Sequence, residues 1–128
     1  MPTDLELLGG EERLQEIIDR FIDLVFDDLM IGFLFRGADR QRIKDKEREL
    51  AAAHLGGPAR YSGKPLAAAH APHAIMGGHF DRRLKLLEET LDAFAVPTPV
   101  RERWLAHNQA LRRTITGDRP GQCRPPLA

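Results

Sequence analysis

The chain is poor in the residues that staple, shield or anchor. Of its 128 residues one is cysteine, Cys123. That excludes an internal disulfide and a Cys-x-x-Cys metal knuckle, and it points to a reducing, cytoplasmic setting. Aromatic residues make up 6%, with Trp104 and Tyr61 the single members of their types. Charge of one sign is missing too, because 19 basic side chains face 19 acidic ones. Without a net field the chain has no general attraction for nucleic acid or for an anionic membrane. No apolar run approaches the length that spans a bilayer, and the acidic start Met1-Pro2-Thr3-Asp4 lacks a secretory-signal pattern. Gly-x-Gly-x-x-Gly, the Walker loop and Gly-x-Ser-x-Gly are all absent. No strand alternation, internal repeat or second domain is visible.

Helical periodicity is present almost throughout. Thr3 and Glu6 have the spacing of a capping box for a short first helix that ends at Gly9-Gly10. Leu14, Ile17, Ile18, Phe21, Ile22 and Val25 follow the 3.6-residue period, and Phe26 and Leu29 extend the stripe. An apolar corner runs from Ile31 to Phe35 and closes at Gly37; Asp39 is placed to cap a helix reaching about Leu55. Its basic and acidic residues over 40–49 alternate, which predicts a solvated face laced with i, i+4 pairs. Pro65 suits the first turn of a short helix, and Pro72 discourages its continuation. A further helix is expected from about Gly78 to Ala95. Thr98-Pro99 reads as N-cap and first turn of a last helix bearing Trp104, Leu105, Leu111 and Ile115. Residues 1–116 thus form one all-α domain, and 117–128, rich in Gly, Pro and Arg, reads as a disordered tail.

One histidine stands out for chemistry. His70 closes the short helix between Pro65 and Pro72, behind the glycine-marked run Leu55-Gly56-Gly57-Pro58 and Tyr61-Ser62-Gly63. Leu66 and the alanines 67–69 beside it are small or apolar, so a flat cofactor can approach closely. An imidazole held in one direction can ligate iron through one ring nitrogen, with the other nitrogen held by a second group. A zinc set of His70, His73 and His79 is poorer, having no carboxylate or thiolate partner at suitable spacing. His54 and His107 read as surface or packing residues, and Trp104 as core.

These motifs together resemble the truncated hemoglobins over about residues 5–116. Leu8-Gly9-Gly10 looks like the family's first glycine motif, and Phe21 matches the aromatic of its helix B. Leu34-Phe35 with Gly37 resembles the Phe-Phe-x-Gly corner. Leu55-Gly56-Gly57-Pro58 is similar to the second glycine motif, and Ala69-His70 to the proximal position. His79-Phe80-Asp81 and Val96-Pro97 look like the boundaries of helix G. The spacing from Phe35 to His70 is that of the group with the mycobacterial and cyanobacterial members. The resemblance implies a two-over-two helical sandwich around a heme, with His70 on the iron. Phe35, Leu66, Ile75 and Phe80 would cage the heme, and Lys46 and Tyr61 would reach its propionates. Without Cys-x-x-Cys-His the heme is expected to be b-type.

The far side of the heme departs from the family. Where it usually carries a tyrosine that donates a hydrogen bond to the gas ligand, this chain has Ile22. On the next helix Glu47 interrupts the inward stripe of Ile43, Leu50 and Ala51, where the family often has glutamine. Arg83 sits on the inward face of the following helix, and an Arg83–Glu47 pair would neutralise both charges. The implied function is binding and transport of a diatomic gas (O2, NO or CO), with redox chemistry such as NO dioxygenation if an unidentified redox partner delivers electrons. One alternative is a six-coordinate heme sensor or electron-transfer protein, in which a deprotonated Lys46 ligates the iron opposite His70. Another is a globin-shaped interaction module without heme.

Overall fold

The computed structural model describes residues 2–57 and 77–112. Five α-helices and one 3-10 turn account for most of them: α1 (Asp4–Leu8), α2 (Glu11–Asp27), the 3-10 turn Gly32–Phe35, α3 (Arg40–His54), α4 (Gly77–Ala93) and α5 (Thr98–Ala110). The pair α2/α3 packs on the pair α4/α5 through contact of α2 with α4, and α1 bridges α2 and α5. Among the described residues no helix is long and apolar enough to cross a membrane.

Local chemistry explains where the helices begin and end. The Thr3 hydroxyl accepts from the Glu6 amide at 3.1 Å, and the Asp39 carboxylate from the Arg42 amide at 3.2 Å. Both satisfy first-turn donors that have no partner inside the helix. Gly9 and Gly10, at φ of 123° and 92°, reverse the chain between α1 and α2 in a region L side chains avoid. The last helix starts one residue earlier than Thr98-Pro99 suggests. Pro97 is its N-cap, with no side-chain cap bond, and the Pro99 ring lies in the first turn, where a missing N–H costs nothing.

The apolar face of α2 is the centre of the core. Leu14, Ile17, Ile18, Phe21, Ile22 and Val25 are all buried. Opposite them lie Leu87 and Leu91 of α4, Val100 and Trp104 of α5, and the small residues Ala51 and Ala52 of α3. Arg13 ties α2 to the turn after α4, donating to the Phe94 carbonyl at 3.0 Å while its guanidinium lies 4.8 Å from the Phe94 ring.

Two expectations fail here for identifiable reasons. The periodicity extends the stripe to Leu29, yet α2 stops at Asp27 and Leu29 is 99% exposed. The Asp28 carboxylate turns the chain, accepting from the amides of Met30 and Ile31 at 3.0 and 3.1 Å. Arg82 of α4 grips the same carboxylate at 2.8 and 3.1 Å and lowers its pKa. The charged face of α3 also differs from a ladder of i, i+4 pairs. Lys44 bonds Asp23 at 2.9 Å, and Arg40 bonds Asp23 and Asp27 at 3.2 and 3.1 Å. Its strongest partners are on α2, so the cluster sews two helices together. The tail after Gly117 lies outside the described residues.

Gly32 is where the corner meets α2 most closely. A Cβ built there lies 2.5 Å from the Phe26 carbonyl oxygen, which is backbone and cannot swing away. Gly32→Ala should therefore lower unfolding stability by about 1–3 kcal/mol in urea titrations. Gly78→Ala meets nothing within 4 Å inside α4 and should raise it by about 0.5–1 kcal/mol.

Candidate functional site

An open cavity of about 720 Å3, its mouth included, lies between α2, the corner, α3, α4 and the end of α5. Its walls are mainly apolar. Ile22 and Val25 come from α2, Leu34 and Phe35 from the corner, Ile43 and Leu50 from α3, and Phe80 from α4. Phe35 is oriented by a tilted contact with Phe26, ring centroids 4.9 Å apart. The lining suits a flat apolar group with a few polar contacts.

The polar part of the wall is one connected network. Glu47 and Arg83 meet at 2.6 Å, with 17% and 19% of their side chains exposed. The other arm of Arg83 donates to the Asn108 side-chain oxygen at 2.9 Å. The Asn108 amide group in turn donates to the Trp104 carbonyl at 3.0 Å, and the Arg83 guanidinium lies 5.0 Å from the Phe21 ring centre. Bonding at both ends fixes its direction, and the carboxylate cancels its charge. That balance lets two ions sit in an apolar wall without the full cost of burial.

The structure thus brings together Ile22, Phe35, Ile43, Glu47, Phe80 and Arg83 around one cavity. Lys46 stands apart. It does not line the cavity, and its ammonium lies 3.7 Å from the Glu49 carboxylate. Tyr61, Leu66, His70 and Ile75 lie outside the described residues, as does His73 of the conceivable zinc set. Among the described residues no three His, Cys, Asp or Glu side chains converge as a metal site. Arg112 pairs with Asp81 near the end of α5.

Sequence reasoning passes over Asn108, and it weighs His79 only for a zinc set and as a helix boundary, although both line the cavity. The signal for Asn108 is available: it follows Trp104 by four residues and precedes Leu111 by three, a polar residue on an inward stripe, as Glu47 is on α3. His79 carries no such signal, because its edge contact with Phe33, centroids 5.6 Å apart, is tertiary. His54 and His107, read as surface or packing residues, stack on each other with centroids 3.8 Å apart.

Comparison with known proteins points one way. The family profile described as bacterial-like globin matches residues 3–117. A group 1 truncated hemoglobin of Mycolicibacterium paratuberculosis is 34% identical over 91 residues, covering 71% of this chain and 67% of that protein. The truncated hemoglobin of Tetrahymena pyriformis, solved in its Fe(III) form, superposes with a TM-score of 0.82 at 26% identity, covering 91% of this chain and 100% of that one. A hemoglobin from Chloroflexus aurantiacus superposes with a TM-score of 0.81 at 29% identity, covering 93% and 100%.

Removing one ion of the network strands the other. Arg83→Leu should leave the Glu47 carboxylate without its cation and cost about 1–3 kcal/mol of stability. Adding Glu47→Gln to it should restore part of that loss, so a double-mutant cycle in urea should return a coupling of about 1 kcal/mol or more. Additive losses would mean that the two side chains do not meet.

Proposed function

The chain belongs to the bacterial-like globin family as a truncated (2/2) hemoglobin, and from that premise we propose that it binds one b-type heme and, through it, an uncharged diatomic gas. When bound, heme supplies the iron that takes up O2, NO or CO. The observation that carries this reading is the apolar cavity with a charge-balanced network in one wall. The residues present fit a heme: broad apolar walls for the ring, an open mouth for its acidic edge, and polar groups confined to one place.

Each residue then has a definite task. His70 would hold the iron through a ring nitrogen. Phe35 and Phe80 would pack the ring with Leu66 and Ile75, and Tyr61 would meet its propionates. Lys46 would do the same by exchanging the Glu49 carboxylate for a propionate. Ile22, buried at the cavity wall, keeps water out and offers no hydrogen bond to a ligand. Glu47 and Arg83 together present no net charge, which suits a neutral gas better than an anion. Asn108 keeps Arg83 pointed at Glu47. In the alternative reading Lys46 would give up the Glu49 carboxylate, 3.7 Å away, to ligate the iron opposite His70.

Reconstitution with heme tests this directly. Absorption spectra of the ferric, ferrous and ferrous–CO forms should show a high-spin, five-coordinate ferrous state that binds CO and is lost in His70→Ala. A low-spin ferrous form that becomes five-coordinate in Lys46→Ala would replace the open site by an internally ligated one, and no heme uptake would leave the fold without the function. Ile22→Tyr should slow O2 release about five- to tenfold, the worth of one hydrogen bond. An unchanged rate would remove Ile22 from the ligand's surroundings.

A further inference from the structure

Away from the cavity, α3 and α5 meet through two histidines. His54, in the last turn of α3, and His107 of α5 lie face to face, ring centroids 3.8 Å apart and planes 15° apart. Nε2 of each ring is shut off from solvent with no hydrogen-bond partner. Two neutral imidazoles tolerate this arrangement, because one ring nitrogen of each is a bare acceptor. An imidazolium does not: both its nitrogens carry protons, so one N–H would be buried without an acceptor. A second charge 3.8 Å away would repel the first.

The charged groups facing the pair do little to relieve this. Asp4 of α1 approaches, but both its oxygens are engaged by Arg103 of α5, at 2.6 and 2.8 Å. Burial is the largest influence on His54 and disfavours its charged form, as do His107 and Arg103. The Arg103 carbonyl, which accepts a hydrogen bond from His54, and the Asp4 charge oppose them and lose, so His54 titrates below its ordinary 6.5.

The pair is wired to the cavity by position. Asn108, which holds Arg83, follows His107 in the chain. Glu47 precedes His54 by seven residues, two turns along the same face of α3. The helices are therefore linked at two levels, once by stacked rings and once by the network of Glu47, Arg83 and Asn108.

We propose that the stacked His54–His107 pair is a proton-sensitive joint between α3 and α5, closed while both rings are neutral and opened by acid, which passes the opening to the cavity wall through Asn108 and Glu47. The sign follows from linkage. A group whose charged form the closed state disfavours contributes stability in full above its ordinary value of 6.5 and loses it as the pH falls below that value. The joint exists whatever occupies the cavity; its effect on gas binding rests on the function proposed above.

The test is amide hydrogen exchange of the full-length chain by NMR from about pH 7.5 to about 5.5, in the ferrous–CO form if the protein takes up heme and as purified if it does not. After correction for intrinsic chemistry, opening at Asn108 and in the last turn of α3 should be steady above pH 6.5 and rise as the pH falls below it, by no more than about tenfold per pH unit for the single proton on His54. Ile18 in α2 should not respond. His54→Phe keeps an aromatic face and removes the proton, so its Asn108 exchange should be flat with pH. Should that variant not fold, the imidazole nitrogen shifts of the wild type decide. A His54 ring still mainly neutral at pH 6.5, the ordinary value, upholds the joint. Ordinary titration with steady Asn108 exchange overturns it, as does a full wild-type pH response in His54→Phe. None of these readouts requires heme, so failure of the joint and failure of the gas-binding reading are separate results.

Discussion

Burial of one face of α2 is the constraint on which the other elements depend. That face is continuous from Leu14 to Val25, and each of these apolar side chains would expose a large surface if α2 stood alone. No single neighbour covers it. Helix α3 supplies small residues that let its backbone come close, α4 supplies leucines, and α5 reaches in with Trp104. The cavity is what remains where these coverings diverge, at the Ile22–Val25 end of α2. Its position is therefore a consequence of how α2 is covered.

Charge is used at the edges of that arrangement, as fasteners between elements. Lys44 and Arg40 join α3 to α2, Arg82 joins α4 to the corner through Asp28, and Arg103 joins α5 to α1 through Asp4. Most of these pairs are partly exposed, and each alone contributes little. Their common effect is to fix relative positions. Asp28 shows the principle best, because one carboxylate ends α2, shapes the corner that presents Phe35, and anchors α4. The same logic moves inward at Arg83, where the fastener becomes part of the cavity wall.

The chain shares its fold with truncated hemoglobins, and its cavity wall combines an aliphatic side chain with a paired set of charges. Ile22 offers no hydrogen-bond donor, while Glu47 and Arg83 place two charges that cancel. A donor aimed at a ligand steadies it; a self-satisfied ion pair leaves it alone. Under the proposed function such a pocket would favour easy exchange of gas, and α3 and α5, which carry Glu47 and Asn108, are the two helices held together by the histidine stack.

The linear order of residues by itself determined the helical class, the caps at Thr3 and Asp39, the apolar face of α2 and the odd polar residues Glu47 and Arg83, because all of these are local matters of periodicity and short-range hydrogen bonding. The likeness to the family was legible for the same reason, in glycines and aromatics at set spacings. Only the tertiary structure decided that α2 stops before Leu29, since Arg82 comes from 54 residues away to hold Asp28. It also decided that Lys44 serves Asp23, that Asn108 completes the Arg83 network, and that His54 meets His107. Pairings across helices depend on which faces are pressed together, and burial of the whole core sets that choice.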